Sequence, residues 1–358
     1  MDRSNPPALD LSRWAVVAHN DDTGFGRMAA DIRRLLGLGY HLVIPSERLD
    51  DRPLTEPTEQ FLDPKAPDTR VRELLTGLQG IIFFERHSWH QSLLPIAQSL
   101  GVRTVCVPMW EWFRGNDAQW QYCDLFICPT RYTVQVVQGY GWKNAVYLPW
   151  LLDITRFAAC QIAGPARLFI HNAGLVDHDD RKGTRDTILA FKQVRRSDIR
   201  LLVRIQKEVP LPALDERIEV QVGNLDDPTD LYRHGDVAIQ PSKMEGIGFM
   251  VLEAVCSGLP VITTDYPPMS EFVQQPELRV KPRWFKRKAF ATQWIKHAHL
   301  RLPQTQDLAR KIAWCADHDL AAISKANRAW TDATFAPETL KRQWQECLTH
   351  LLVGRMQR

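Results

Sequence analysis

Glu245 and Glu253 are the residues of this chain whose types and spacing most directly suggest chemistry. Seven residues separate them, in the run Pro241-Ser242-Lys243-Met244-Glu245-Gly246-Ile247-Gly248-Phe249-Met250-Val251-Leu252-Glu253-Ala254. From Phe249 to Cys256 every other side chain is apolar, so the segment reads as a buried helix. Glu253 lies inside it. An ionised carboxylate buried without partners is costly, so Glu253 must find donors or reach a cleft. Glu245 stands earlier, where the chain is still a loop. Between the two, the amides of Gly246, Ile247, Gly248 and Phe249 form a helix N-terminus, which attracts anions. The pattern offers a seat for a phosphate with a carboxylate on each side. One carboxylate could accept hydrogen bonds from sugar hydroxyls and the other from a ribose.

A diphosphate needs cations as well as amides. His171-Asn172-Ala173-Gly174 closes an expected strand, and Asp179-Asp180-Arg181-Lys182-Gly183-Thr184 opens the next helix. A lysine at a helix start is disfavoured by the helix dipole, so Lys182 is either simply solvated there or matched to an anion. Arg181 and Arg204 are further candidate cations. Near the N-terminus, Thr23-Gly24-Phe25-Gly26-Arg27-Met28-Ala29 satisfies a Gly-x-Gly-x-x-Ala pattern. Glu47 follows at the distance of a ribose contact. Three readings stand for Gly24 and Gly26: a nicotinamide-dinucleotide loop, a loop approaching another diphosphate, and a plain tight turn. His19-Asn20-Asp21-Asp22-Thr23 intervene before the first glycine, which argues against the dinucleotide reading.

The elements that must position these residues alternate. Expected strands are 14–18, 41–44, 80–84, 103–107, 125–128 and 145–148, with helices at 26–36, 91–100 and 132–139. Residues 45–70 read as a Pro- and Asp-rich loop, and a break falls near 152–165. Strands then recur at 167–171, 199–204, 218–222, 237–240 and 261–263, with helices at 184–194, 228–234 and 249–256. Residues 339–352 read as an amphipathic helix. Such alternation predicts parallel sheets wrapped by helices, here as two consecutive doubly wound α/β domains. In such sheets ligands sit at the carboxyl ends of the strands.

Composition bounds the class. With 358 residues the chain is long for one core and suits two domains. Hydrophobic content of 44% and charged content of 24% are those of a globular protein, and they disfavour a disordered or membrane-spanning chain. No apolar run reaches membrane-spanning length, and residues 1–11 lack a signal-peptide core. The seven cysteines are scattered and form no Cys-x-x-Cys pair, which reads as reduced, buried thiols in a cytoplasmic protein. No Asp/His cluster with metal-ligand spacing stands out, so metal-independent chemistry and no cofactor are expected.

The Glu245–Glu253 arrangement resembles the Glu-seven-residues-Glu signature of retaining glycosyltransferases, family 4 and its relatives, which have the GT-B fold. The likeness continues upstream through Gly223-Asn224-Leu225 and Leu231-Tyr232-Arg233-His234-Gly235-Asp236-Val237-Ala238-Ile239-Gln240-Pro241-Ser242. Downstream it runs through Gly258-Leu259-Pro260-Val261-Ile262-Thr263-Thr264-Asp265 and Ser270-Glu271-Phe272-Val273. The resemblance implies two Rossmann-like doubly wound domains facing a central cleft. Residues 1–152 would be the acceptor side and 153–335 the nucleotide-sugar donor domain. Residues 336–358 would form a helix crossing back to the first domain. It also implies transfer of a sugar from a UDP- or GDP-sugar to an acceptor hydroxyl on a saccharide or lipid-linked glycan. Glu245 would hold the sugar hydroxyls and Glu253 the ribose. Lys182 matches the lysine of the family pattern. The arginine that usually follows the glycine of the preceding strand is replaced by Leu175, leaving Arg181 or Arg204 to supply that charge. The glycine-rich turn after the next strand is replaced by Arg204-Ile205-Gln206-Lys207.

In the first domain the family often carries a His beside the reacting carbon. Here the sequence reads Val107-Pro108-Met109-Trp110-Glu111-Trp112-Phe113, so Glu111 is the nearest polar candidate. Trp110 and Trp112 either stack on a sugar or base, or belong to the core. His87 is a further candidate for the cleft.

Residues 278–306 contain no acidic residue. They carry Arg279, Lys281, Arg283, Lys286, Arg287, Lys288, Lys296 and Arg301, interleaved with Trp284, Phe285 and Trp294. The net charge is only +3, so this is a local patch. It reads as a nucleic-acid track, a contact to an anionic membrane surface holding a lipid-linked acceptor, or a solvated helical face. A DNA-modifying glycosyltransferase acting on a hydroxylated base is therefore an alternative. A nucleotide-sugar epimerase or hydrolase and an NAD-dependent oxidoreductase are further ones.

Overall fold

The first elements alternate strand and helix. They are β1 (Trp14–Ala18), α1 (Gly24–Leu36), β2 (Tyr40–Val43), β3 (Glu59–Phe61), α2 (Asp68–Leu75), β4 (Gly80–Phe84), α3 (Leu93–Ser99), β5 (Arg103–Val107), β6 (Leu125–Cys128), α4 (Arg131–Gly139) and β7 (Ala145–Tyr147). The structure is a computed structural model that describes residues 8–21, 24–46, 52–86, 89–176, 179–289 and 298–354, with backbone alone at 228 and 284–289. The seven strands form one parallel sheet in the order β3-β2-β1-β4-β5-β6-β7. Strands β1 and β4 are buried throughout. Their unbroken apolar runs are what a sheet covered on both faces requires.

A second series follows. It comprises β8 (Leu168–Gly174), α5 (Thr184–Gln193), β9 (Arg200–Ile205), β10 (Ile218–Val222), β11 (Val237–Gln240), α6 (Phe249–Cys256), β12 (Val261–Thr264), β13 (Arg279–Val280), β14 (Pro282–Ala289), β15 (His299–Pro303), α7 (Thr305–Asp317) and α8 (Ala321–Thr334). Its six-stranded parallel sheet has the order β10-β9-β8-β11-β12-β13, while β14 and β15 pair antiparallel. The last helix, α9 (Pro337–Val353), belongs with the first sheet. Two compact units result, Met1–Asp153 with Phe335–Arg358, and Ile154–Thr334. Trp344 on α9 meets Trp150 edge to face at 6.3 Å, and its indole N–H donates to the Pro149 carbonyl. Both tryptophans are buried, so the helix is held by apolar area as well as by that bond.

Each sheet begins near its middle, runs outward, then reverses. The reversal lies between β1 and β4 in one unit and between β8 and β11 in the other. In open α/β sheets such switch points leave a crevice at the strand carboxyl ends where ligands bind.

Several sequence expectations are corrected. Residues 45–70 are not all loop, because they contain β3 and the start of α2. Strand β3 escaped notice because it is short, lies at the sheet edge, and has no buried residue to create an apolar run. Residues 228–234 form only a short 3₁₀ turn, Pro228–Tyr232, rather than an α-helix. The described part of the basic stretch is not a helical face, since its backbone pairs as β14 and β15. Helix α1 starts at Gly24, so Gly24 and Gly26 lie in its first turn and not in an open loop. Gly26 is required by space: a Cβ there would stand 2.2 Å from the Asp21 carbonyl oxygen.

All seven cysteines are free, and five are buried. Burial raises the Cys256 and Cys315 thiols to about 12, so they stay protonated and unreactive. Among the described residues no helix is long and apolar enough to cross a membrane. Among them, too, no group of three or more His, Cys, Asp or Glu side chains is placed to hold a metal ion.

Candidate functional site

The loops leaving β8 and β11 flank the switch point of the six-stranded sheet, and they bring the sequence-derived candidates together. Glu245 uses both carboxylate oxygens. Oε1 accepts from Lys182 Nζ at 2.7 Å and Oε2 from an Arg181 guanidinium N–H at 2.7 Å. Arg181 also donates to the Met244 carbonyl at 3.0 Å. Glu245 is only 6% exposed. Burial alone would raise its pKa, but the charges of Arg181 and Lys182 overcome that and hold it down at about 2. The carboxylate is therefore ionised at any ordinary pH. It anchors two half-buried cations side by side and leaves the cluster with net positive charge, an arrangement suited to an anion.

The backbone around Glu245 is arranged as a helix entry. Gly248, with φ +94°, precedes α6. The first amides of α6 have no carbonyl partner within the helix and point outward from its N-terminus. Gly246 and Ile247 stand in the loop ahead, with Ile247 buried. One turn into α6, Glu253 is half-buried and accepts a 2.6 Å hydrogen bond from the Tyr232 hydroxyl. The apolar surroundings of Glu253 thus contain the donor its charge needs.

Helix α5 begins on the other side of the switch point. Gly183 precedes it at φ +75°, and a Cβ there would stand 2.6 Å from the Pro241 carbonyl oxygen. Gly183→Ala therefore combines a disfavoured backbone with a backbone clash. It is expected to destabilise the second unit by at least about 2 kcal/mol, read as a lower urea midpoint. An unchanged midpoint would mean that this turn differs in solution.

His171, fully buried on β8, shares hydrogen bonds with the Ile239 carbonyl and the Thr184 hydroxyl. Burial lowers its pKa to about 4, so it is neutral and ties β8, β11 and α5 together.

Arg204 does not lie in a turn: it is in β9, 8% exposed. It donates to the Leu231 carbonyl at 3.0 Å, to Asn172 Oδ1 at 3.3 Å and to Gln221. Asn172 in turn donates to Leu231. Arg181, not Arg204, is the guanidinium beside Glu245, while Leu175 is 60% exposed.

Sequence reasoning missed a second ion cluster. The Lys243 ammonium lies 3.0 Å from Asp180 Oδ2 and 2.9 Å from Asp186 Oδ2. Asp180 also caps α5, accepting from the amides of Thr184 and Arg185. Burial raises the Asp180 pKa, with Lys243 acting against it. Two signals were available: an aspartate four residues before Thr184, and a lysine in the otherwise uncharged run up to Glu245.

The remaining candidates lie in the first unit or outside the described residues. Gly24 and Gly26 open α1. Trp110 is buried edge to face on Tyr132 at 5.1 Å, which makes it a core aromatic. Glu111 is buried in the turn after β5, and Trp112 is half-buried beside it. His87, Glu47, Trp294 and Lys296 lie outside the described residues, as do the side chains of Trp284, Phe285, Lys286, Arg287 and Lys288. Of the other basic residues, Arg279 donates to the Val273 carbonyl, Arg283 to Pro303 and Thr305, and Arg301 stacks over Tyr266.

Comparison with known proteins bears on the fold and on the second unit. Residues 167–297 match the family described as Glycosyl transferases group 1. Anabaena HepE in complex with UDP and glucose superposes with a TM-score of 0.68 at 11% identity, over 94% of this chain and 99% of that one. A glycosyltransferase from Rickettsia africae gives 0.65 at 12% identity, covering 95% and 98%. Sucrose-phosphate synthase from Thermosynechococcus elongatus gives 0.63 at 14% identity, covering 94% and 98%. No curated protein matches the sequence. The fold is GT-B, and the domain match with this fold supports a GT-B glycosyltransferase.

Proposed function

We propose that the chain is a retaining glycosyltransferase of the family 4 type. It moves a sugar from a nucleotide-diphosphate sugar to an acceptor hydroxyl on a saccharide or lipid-linked glycan. The observation that carries this reading is the Arg181–Glu245–Lys182 cluster beside the N-terminus of α6. Negative charge builds on the diphosphate as the sugar–phosphate bond breaks. Fixed cations and helix amides aimed at that charge lower the barrier. Glu245 orients the sugar through its hydroxyls and keeps the two cations in place. Glu253, oriented by Tyr232, receives the ribose. The leaving phosphate accepts the acceptor's proton on the same face, so no separate base is required. With the leaving charge met by side chains and amides, this reading needs no metal. Glu111 and Trp112 of the first unit are assigned to the acceptor. A UDP-sugar is the preferred donor, because the HepE structures hold UDP with glucose and UDP-glucose.

The test is thermal stabilisation by UDP, GDP, ADP, dTDP and NAD, for wild type and Glu253→Ala. A ligand at 100 times its dissociation constant adds about 2.7 kcal/mol. Stabilisation by UDP, weakened in the variant, is the expected result. Stabilisation by NAD alone, unchanged in the variant, would hand the chemistry to the Gly24 segment and overturn the proposal.

A further inference from the structure

We infer that Lys243 is a positioning residue for the diphosphate-binding cations, an inference that rests on the donor-site reading above. Arg181 and Lys182 lie in a turn without regular secondary structure, between β8 and α5. What holds that turn is mostly side chain. Its neighbour Asp180 sits at φ +50°, a left-handed conformation uncommon for residues other than glycine and held here by its contacts. Lys243 supplies one of these contacts from the opposite loop. Its ammonium, on a side chain 7% exposed, bridges Asp180 in the turn to Asp186 in the first turn of α5. The backbone repeats the link, since the Lys243 amide donates to the Arg181 carbonyl at 2.8 Å. On the far side, the Lys243 carbonyl accepts from the Arg301 amide at 2.8 Å. The loop bearing Glu245 and the turn bearing its two cations are thus registered by one buried charge.

The consequence is electrostatic. Without the ammonium, the Asp180 and Asp186 carboxylates lie close together, and the Arg283 guanidinium, 3.9 Å from Asp186, is a more distant counter-charge. The two aspartate side chains are only 4% and 16% exposed. Like charges that close repel, and buried ones strongly. A cavity of about 320 Å³ lined by Asp179, Asp180, Asp186, Lys243 and Arg283 gives Asp180 room to swing away. Arg181 and Lys182 follow it in sequence and leave Glu245. Lys243 touches neither donor nor acceptor in this account, and it acts through Asp180.

The test uses UDP as probe, with affinity measured by calorimetry on the full chain. The temperature is set below every variant's unfolding transition, and folding is checked by circular dichroism. Lys243→Met is expected to weaken UDP binding at least tenfold. Adding Asp186→Asn to Lys243→Met is expected to restore affinity to within about threefold of wild type, because the repulsion is removed although the bridge is still missing. Asp186→Asn alone covers the case in which Lys243→Met does not fold, and it is expected to weaken binding by no more than threefold. Wild-type affinity in Lys243→Met overturns the inference and leaves the donor site standing. Equal loss in Lys243→Met and the double variant also overturns it, since simple destabilisation would do that. A loss of tenfold or more in Asp186→Asn alone overturns it as well, because a retained ammonium would then not suffice. If wild type binds neither UDP nor GDP, the donor-site reading itself fails and the inference falls with it.

Discussion

Glu245→Gln is expected to lower turnover of the UDP-sugar donor by about 10²–10³-fold, the size seen when one preorganised polar contact to a transition state is lost. The amide keeps the shape but not the charge, so Arg181 and Lys182 lose the anion that holds them together. Release of UDP, with or without an acceptor present, is the readout. Turnover within threefold of wild type would remove Glu245 from the site. The same substitution carries a stability signature. The Glu245 carboxyl titrates at about 2 in the folded chain against an ordinary 4.5. A depressed carboxylate contributes stability that is fully present above its unfolded pKa and is lost as pH falls through the folded one. The contribution is on the order of 3 kcal/mol, from a shift of that size at about 1.4 kcal/mol per unit. Between pH 5 and pH 2 wild type should therefore lose about that much more stability than Glu245→Gln. Urea midpoints for the second unit across this range test it, and parallel curves would contradict the buried triad.

Lys182→Met is expected to reduce turnover by about 10²-fold or more, with a smaller effect on UDP affinity. The charge on the leaving diphosphate grows as the bond breaks, so a fixed ammonium is worth more to the transition state than to the ground state. Lys182 also shields Glu245, which keeps Arg181 in the variant. Comparing kcat with KM for the UDP-sugar donor separates the two effects. If KM rises while kcat stays at the wild-type value, Lys182 contributes uniform binding and not transition-state stabilisation.

Much of this candidate site is legible in the sequence. Glu245 stood out because glycines and an apolar run follow it, and Lys182 because a cation at a helix start needs a reason. The pairing of Glu245 with Arg181 and Lys182 was not legible, since Lys182 and Glu245 lie 63 positions apart in the chain. Arg204 read both as the last residue of a strand and as the first of a turn, but β9 runs on to Ile205 and the Arg204 side chain serves the strand ends. Lys243 was passed over because a single lysine in a loop ordinarily points to water. Strands β14 and β15 were hidden because basic residues without apolar alternation mimic a solvated face.

By itself the sequence determined the alternation of strands and helices. It also determined the chemical types at the switch point and the glycines that allow Gly183 and Gly248 their left-handed backbone. These are local properties: periodicity, steric freedom and charge act over a few residues. Only the tertiary structure decided which charges meet. Parallel sheet order places the loops after β8 and β11 side by side, and burial there makes Glu245 and Lys243 choose partners. Chain distance carries no record of that choice. The low polarity of the packed interior enforces it, because a charge without a partner could not remain there.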